Sequence, residues 1–162
     1  MATRSPRPLS EAELIAQEDR IALIAARFGF VGLFEYRHVY SQTGGAQYGR
    51  ASTEDGDLLT VYAEAFERDG DAEDFSLEAM IAHERGHQIL ARHARIAKLV
   101  AGISVLSEEI LASLLGSIIC DDGSDRTMLY AKATAELLER GESPEATDRQ
   151  LRNLWLLLEA LL

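Results

Sequence analysis

The run Ser76-Leu77-Glu78-Ala79-Met80-Ile81-Ala82-His83-Glu84-Arg85-Gly86-His87 decides how this chain is read. Ser76 has the character of an N-cap, Phe75 and Met80 have the spacing of a hydrophobic staple, and Glu78 puts negative charge in the first turn. No proline follows as far as Leu99, so the pattern predicts one helix from Leu77 to about Leu99. Gly86 is its one poor helix former, at a cost of roughly 1 kcal/mol relative to alanine, and a glycine there admits a closely packed neighbour. On such a helix His83 and His87 lie on one face, one turn apart, so their imidazoles can share a metal ion. Glu84 is rotated about 100° from His83. Its carboxylate then sits beside the ion as a general base toward water, outside the ligand shell.

His83-Glu84-Arg85-Gly86-His87 spells HExxH, a zinc pattern, and a catalytic zinc keeps three protein ligands and one open position. A third donor must come from elsewhere. His93 has the spacing of the last histidine in the metzincin pattern HExxHxxGxxH, but Leu90 stands where that pattern needs its helix-ending glycine. On an unbroken helix, six residues beyond His87 means about 9 Å of rise and about 240° of rotation, which is out of reach. The other candidates are Glu108 and Glu109, which follow the N-cap residue Ser107 and open an apolar helix to about Ile119. Glu109 heads a stripe of small residues, Ala112, Ser113 and Gly116, that lets its helix press against Gly86. Glu108 heads Leu111, Leu115 and Ile119, an ordinary core stripe, so Glu109 is the expected ligand.

His83, Glu84, His87 and a downstream helical glutamate together resemble the gluzincin class of metallopeptidases. Glu109-Ile110-Leu111-Ala112-Ser113 is similar to the ExxA(N/D) signature that follows HExxH in ImmA/IrrE-type and HtpX-type enzymes, with serine at 113 in place of the amide or acid. Leu58-Leu59-Thr60-Val61-Tyr62 ahead of the motif helix also looks like the strand and helix order of ImmA/IrrE-type domains, and the likeness covers roughly residues 58 to 120. The resemblance implies an α+β zincin-like domain with zinc held by His83, His87 and Glu109. It implies Glu84 as general base in peptide-bond hydrolysis, with a protein or peptide substrate extended along the exposed edge of a small sheet. Arg85 stands where many relatives carry leucine or isoleucine. Tyr130 or a further histidine is a candidate donor to the developing oxyanion. A zincin-like domain that binds a protein partner, its metal structural or its activity lost, is the rival expectation.

With 162 residues and 47% hydrophobic content the chain has the size of one domain, expected over residues 9–162 behind a tail of residues 1–8. A net charge of −11 argues against a nucleic-acid partner, because phosphate binding needs lysine and arginine. A lone Cys120 excludes an internal disulfide, and Met1 to Pro8 lacks the apolar stretch of a signal peptide, so a cytoplasmic location is expected. The apolar runs near Ile96 to Leu106 and Ile110 to Ile119 fall short of the roughly 20 residues of a membrane span. That argues against the membrane-embedded HtpX type.

Ser10 and Glu13 form a capping box, with Leu9 and Leu14 as staple, for a helix to about Phe28. Phe30 to Tyr40 alternates as a strand, with Phe34, Tyr36, His38 and Tyr40 on one side. The turns Gly44-Gly45 and Asp55-Gly56 bracket Gln47 to Ala51 and lead to a strand from Leu58 to Phe66, so a small antiparallel sheet is expected. His38 fits a hydrogen-bonded sheet histidine better than a site residue. The acidic run Glu67 to Glu73 reads as a solvated loop. Ser124 or Asp125 opens a helix that ends near Gly141, and Ser143-Pro144 opens the last one, giving about five helices in all. Leu151, Leu154, Trp155, Leu158 and Leu162 form a stripe that serves as core or as the seam of a homodimer.

Overall fold

A chain that alternates sheet and helix patterns in separate blocks segregates them in space, and this one does so as an α+β fold. The computed structural model describes residues 4–41, 44–67, 75–102 and 106–162. Helix α1 is Glu11–Arg27, with both bonds of the Ser10–Glu13 capping box formed. Strands β1 (Leu33–Arg37), β2 (Ala46–Gly49) and β3 (Leu58–Tyr62) follow, then α2 (Leu77–Arg92), α3 (Ala94–Ala101), α4 (Glu108–Ile119), α5 (Gly123–Glu139) and α6 (Pro144–Leu161). The N-caps Ser76, Ser107 and Ser143 each accept a backbone N–H, and Asp122 caps α5 two residues earlier than expected. Gly141, at φ +90°, closes α5. The acidic run lies, beyond Glu67, outside the described residues. No described helix is long and apolar enough to cross a membrane.

The sheet differs from the all-antiparallel expectation. Its order is β1-β3-β2: β2 pairs antiparallel with β3, but β1 pairs with β3 in parallel, from Leu33 beside Leu58 to Arg37 beside Tyr62. The chain goes up β1, crosses to the far edge, descends β2 and returns up β3 between them. β3 is central because it is the most apolar strand, with Leu59 and Val61 fully buried. The strand expected to reach Phe66 ends at Tyr62, and Ala63–Phe66 tightens into a 3₁₀ turn. This leaves β2 as an edge.

Helix α2 also ends earlier than expected. At Leu99 the chain is still helical, but His93 is extended (φ −86°, ψ 102°) and divides the stretch into α2 and α3. The Nδ1 of His93 accepts the Ile96 N–H at 3.3 Å, so this histidine caps α3. Two buried clusters flank α2. One joins α1, β3 and α2 through Ile21, Leu59, Val61 and Ile81; the other joins α4, α5 and α6 through Leu114, Leu115, Leu137, Leu151 and Leu158.

Helices α2 and α4 run antiparallel in close contact. A Cβ on Gly86 would lie 2.3 Å from the Ala112 carbonyl oxygen, and one on Gly116 would lie 3.1 Å from the backbone of Ala82 and His83. A second tie holds α2 to the sheet. Asp57, fully buried, accepts two bonds from Arg92 (Nη2 at 2.6 Å, Nε at 3.0 Å), one from the Tyr48 hydroxyl at 2.7 Å, one from Gln88 at 3.1 Å and one from the Ala51 N–H at 2.8 Å. Arg85 donates to the Phe28 carbonyl at 3.1 Å and to Gln88 Oε1 at 2.7 Å, and Gln88 in turn binds both backbone groups of Val31. Arg85 therefore anchors α2 to the turn between α1 and β1.

Three substitutions test these ties. Helix propensity alone would have Gly86→Ala stabilise the chain by about 1 kcal/mol, but the clash with Ala112 reverses the sign, and urea denaturation of metal-free protein should show a loss of about 1–3 kcal/mol. Asp57→Ala leaves Arg92, Gln88 and the Tyr48 hydroxyl without their shared acceptor and should lower the urea midpoint. Arg92 holds the Asp57 carboxyl well below the usual carboxylate range. A depressed folded value means that this stabilisation is complete above the unfolded value of about 3.9 and is lost as pH falls below it. Asp57→Asn should accordingly flatten the acid side of the stability curve.

Candidate metal centre

Because Gly86 and Gly116 let α2 and α4 nearly touch, the first turn of α4 arrives opposite the middle of α2. His83 Nε2 and His87 Nε2 stand 3.2 Å apart, with the rings edge to face at 82°. Glu109 offers Oε2 at 3.1 Å from His83 Nε2 and Oε1 at 3.0 Å from His87 Nε2. The donor atoms of the three residues all lie within 4.8 Å of one another. In a tetrahedral shell with metal–donor distances of about 2.0–2.1 Å, neighbouring donors stand roughly 3.4 Å apart. The cluster needs only a slight opening to fit that shell.

The outer nitrogens of the two rings are also occupied. His83 Nδ1 lies 3.0 Å from the Ser113 hydroxyl, and His87 Nδ1 lies 3.0 Å from the Glu108 carboxylate. With Nδ1–H donated to Glu108, the His87 ring turns Nε2 toward the Glu109 carboxylate and His83. Ser113 can accept the His83 Nδ1 proton in the same way. Two ring nitrogens 3.2 Å apart and one carboxylate converge on a single point that only a proton or a cation can occupy, and with both outer nitrogens engaged this donor set fits a divalent metal. Ser113 thus meets the outer nitrogen of the His83 ring. Glu108, assigned to the core stripe with Leu111, orients His87 in addition.

His83 bonding, helped by the charges of both rings and in small part by Lys132, holds the Glu109 carboxyl down to about 2. Burial pushes the Glu84 carboxyl above its usual value, against the opposing pull of the two rings and of the Tyr48 backbone N–H. Glu84 stands beside the donors without joining them. All of these groups line a cavity of about 570 Å³, whose opposite wall is the Gly44–Tyr48 segment, including edge strand β2. Lys132 of α5 also lines it, its Nζ 4.9 Å from the centre of the Phe75 ring.

The structure brings His83, Glu84, His87 and Glu109 together as expected from their spacing. It does not bring in the other candidates. Tyr130 faces the groove between α5 and α6, His38 binds the Tyr36 hydroxyl at 2.7 Å and the Arg7 carbonyl, and His93 is spent on its cap. Lys132 lines the cavity and was missed by the sequence reading, whereas Ser113, noted there as the departure from the signature, meets His83. Ser113 carried a signal, since it lies four residues after Glu109 on the small stripe; Lys132, from a distant helix, carried none. No family model, curated protein or solved structure matches the chain.

Metal analysis of single variants tests the donor set. His83→Ala, His87→Ala and Glu109→Ala should each abolish zinc retention after dialysis, while His93→Ala keeps it near one equivalent. Ser113→Ala and Glu108→Gln should weaken zinc affinity by about 10–100-fold, measured by competition with a chromogenic chelator.

Proposed function

We propose that the chain is a zinc-dependent metallopeptidase in which His83, His87 and Glu109 hold the metal and Glu84 moves the protons of hydrolysis. The observation that carries this reading is the meeting of three donors from two helices beside a fourth, non-ligating carboxylate. A bound zinc supplies polarisation of the scissile carbonyl and a water pKa lowered from about 15.7 to about 7. Glu84 accepts the proton of the attacking water and passes it to the leaving amine. Its burial in the cavity wall raises its proton affinity, which suits a group that must both take and give a proton.

The edge strand supports a peptide as substrate. The Tyr62 N–H donates to the Gly45 carbonyl at 2.9 Å, so Gly45, Gln47 and Gly49 direct their backbone groups to β3. Ala46 and Tyr48 then turn theirs to the cavity side, consistent with the Tyr48 N–H reaching Glu84. An extended peptide laid along these groups adds a fourth strand and presents its carbonyls to the metal position. The Asp57 network, through the Tyr48 hydroxyl and Ala51, fixes this edge relative to α2.

The rival reading, a zincin-like domain that binds a protein partner, is favoured by α6 and its C-cap, where Leu156, Leu157 and Leu162 are 56%, 55% and 47% exposed. Glu84→Gln separates the two. The variant should retain about one zinc and lose cleavage of an unfolded protein by about 10²–10⁴-fold. Zinc-loaded wild type that cleaves nothing, with the variant indistinguishable from it, would leave the binding role standing.

A further inference from the structure

The cavity at the donors continues past them. A second cavity of about 520 Å³, lined by Arg50, Leu90, Val100 and Leu111, shares Tyr48 and Glu108 with the first. One groove therefore follows β2 from Gly44 to Arg50 and passes the metal position on the way. An extended chain rises about 3.3 Å per residue, so the groove takes a peptide of about six residues.

The charges along this groove are ordered. Glu84, Glu108 and Glu109 sit at its centre, Lys132 at the α5 end and Arg50 at the far end of β2. The chain carries 27 acidic residues against 16 basic ones, and Arg7, Arg20, Arg27, Arg92 and Arg152 all pair with carboxylates. Among the described residues neither Lys132 nor Arg50 has such a partner. Lys132 is instead held over the Phe75 ring, near enough to Glu109 to favour its charge but in no ion pair with it. Arg37, Arg95, Lys98 and Arg149 lack an ion-pair partner among the described residues too, but Lys132 and Arg50 line the groove, where an anion on a bound peptide would meet them. Phosphate chains fit poorly, because the central carboxylates repel a continuous negative backbone.

We propose that the groove selects peptides that carry carboxylate groups on either side of the scissile bond, received by Lys132 at one end and Arg50 at the other. This deepens the peptidase reading and rests on it. The carboxylate belongs to an acidic side chain or to a chain terminus, and both sources present the same group to Lys132.

The test uses the full zinc-loaded chain and a set of ten-residue quenched-fluorescence peptides with one central sequence. Glu, Gln or Lys is placed on each side of the centre, and each peptide is made with a free-acid or an amide end. Binding of the same peptides to zinc-loaded Glu84→Gln, read by fluorescence anisotropy, makes the comparison without turnover. The expected result is Glu over Gln by about two- to fivefold in Kd and KM, with Lys weakest, the scale of one partly exposed charge pair. Raised salt shrinks that ratio. Lys132→Gln removes the preference on one side and Arg50→Gln on the other, Lys132→Arg restores the first, and Lys132→Glu inverts it toward Lys peptides. A preference for free acid over amide that Lys132→Gln abolishes assigns the carboxylate to the chain terminus; a preference independent of the end group assigns it to side chains. Equal binding of Glu, Gln and Lys peptides, or a preference that survives both substitutions, overturns the proposal. Failure of the peptidase reading looks different: no peptide is cleaved by wild type, while the binding preference is still measured.

Discussion

The close approach of α2 and α4 is the constraint on which the rest depends. Helices with ordinary side chains at their contact pack with axes about 8–10 Å apart, the spacing set by what lies between. Gly86 and Gly116 remove the side chains on both partners, so backbone meets backbone and Ala112 fills the remaining space. Only then does the short Glu109 side chain reach both imidazoles. The glycine inside α2, which weakens that helix as an isolated element, is what allows the helix to serve as one wall of a site.

The second requirement is that the sheet edge stands at the right place beside that helix pair. Asp57 meets it by binding Arg92 and Gln88 on α2 and Tyr48 and Ala51 around β2. A fully buried carboxylate is costly to desolvate, and it is tolerated here because five donors satisfy it in one fixed geometry. Such a group adds little net stability compared with an apolar replacement, but it permits few alternative arrangements of strand and helix. Arg85 extends the same system to the α1–β1 turn, which accounts for a charged residue inside the histidine motif.

The electrostatics of the groove follow from this arrangement. Each imidazole is oriented by an outer partner, Ser113 or Glu108, so the inner nitrogens face one another before any ion enters. Pre-orientation of this kind lowers the ordering cost of binding a metal. The same central carboxylates that would hold and serve the metal make the middle of the groove negative. The cations at its ends therefore matter more for what the groove admits than their number suggests.

Much of this was legible from residue order. Caps such as Ser10, Ser76, Ser107 and Ser143 act within a few residues, so they mark helix starts reliably, and the i, i+4 spacing of His83 and His87 fixes their common face. Glu109 was readable because a stripe of small residues must lie against something close. The break at His93 was not, since no proline or glycine marks it and the histidine ring itself supplies the cap. Nor was the parallel pairing of β1 with β3, because strand order depends on which strand is buried on both edges and not on the turns between them.

Local chemistry, then, determined the helix starts, the two histidines on one face, the non-ligating glutamate and the small stripe that leads to Glu109. Tertiary structure alone decided that Ser113 and Glu108 orient the rings, that Asp57 locks β2 to α2, and that Lys132 and Arg50 occupy the two ends of one groove. The physical reason is range: caps and helical periodicity act over three or four residues, whereas His87–Glu108, His83–Ser113 and Asp57–Arg92 join side chains 21, 30 and 35 positions apart, and only the packed core sets such distances.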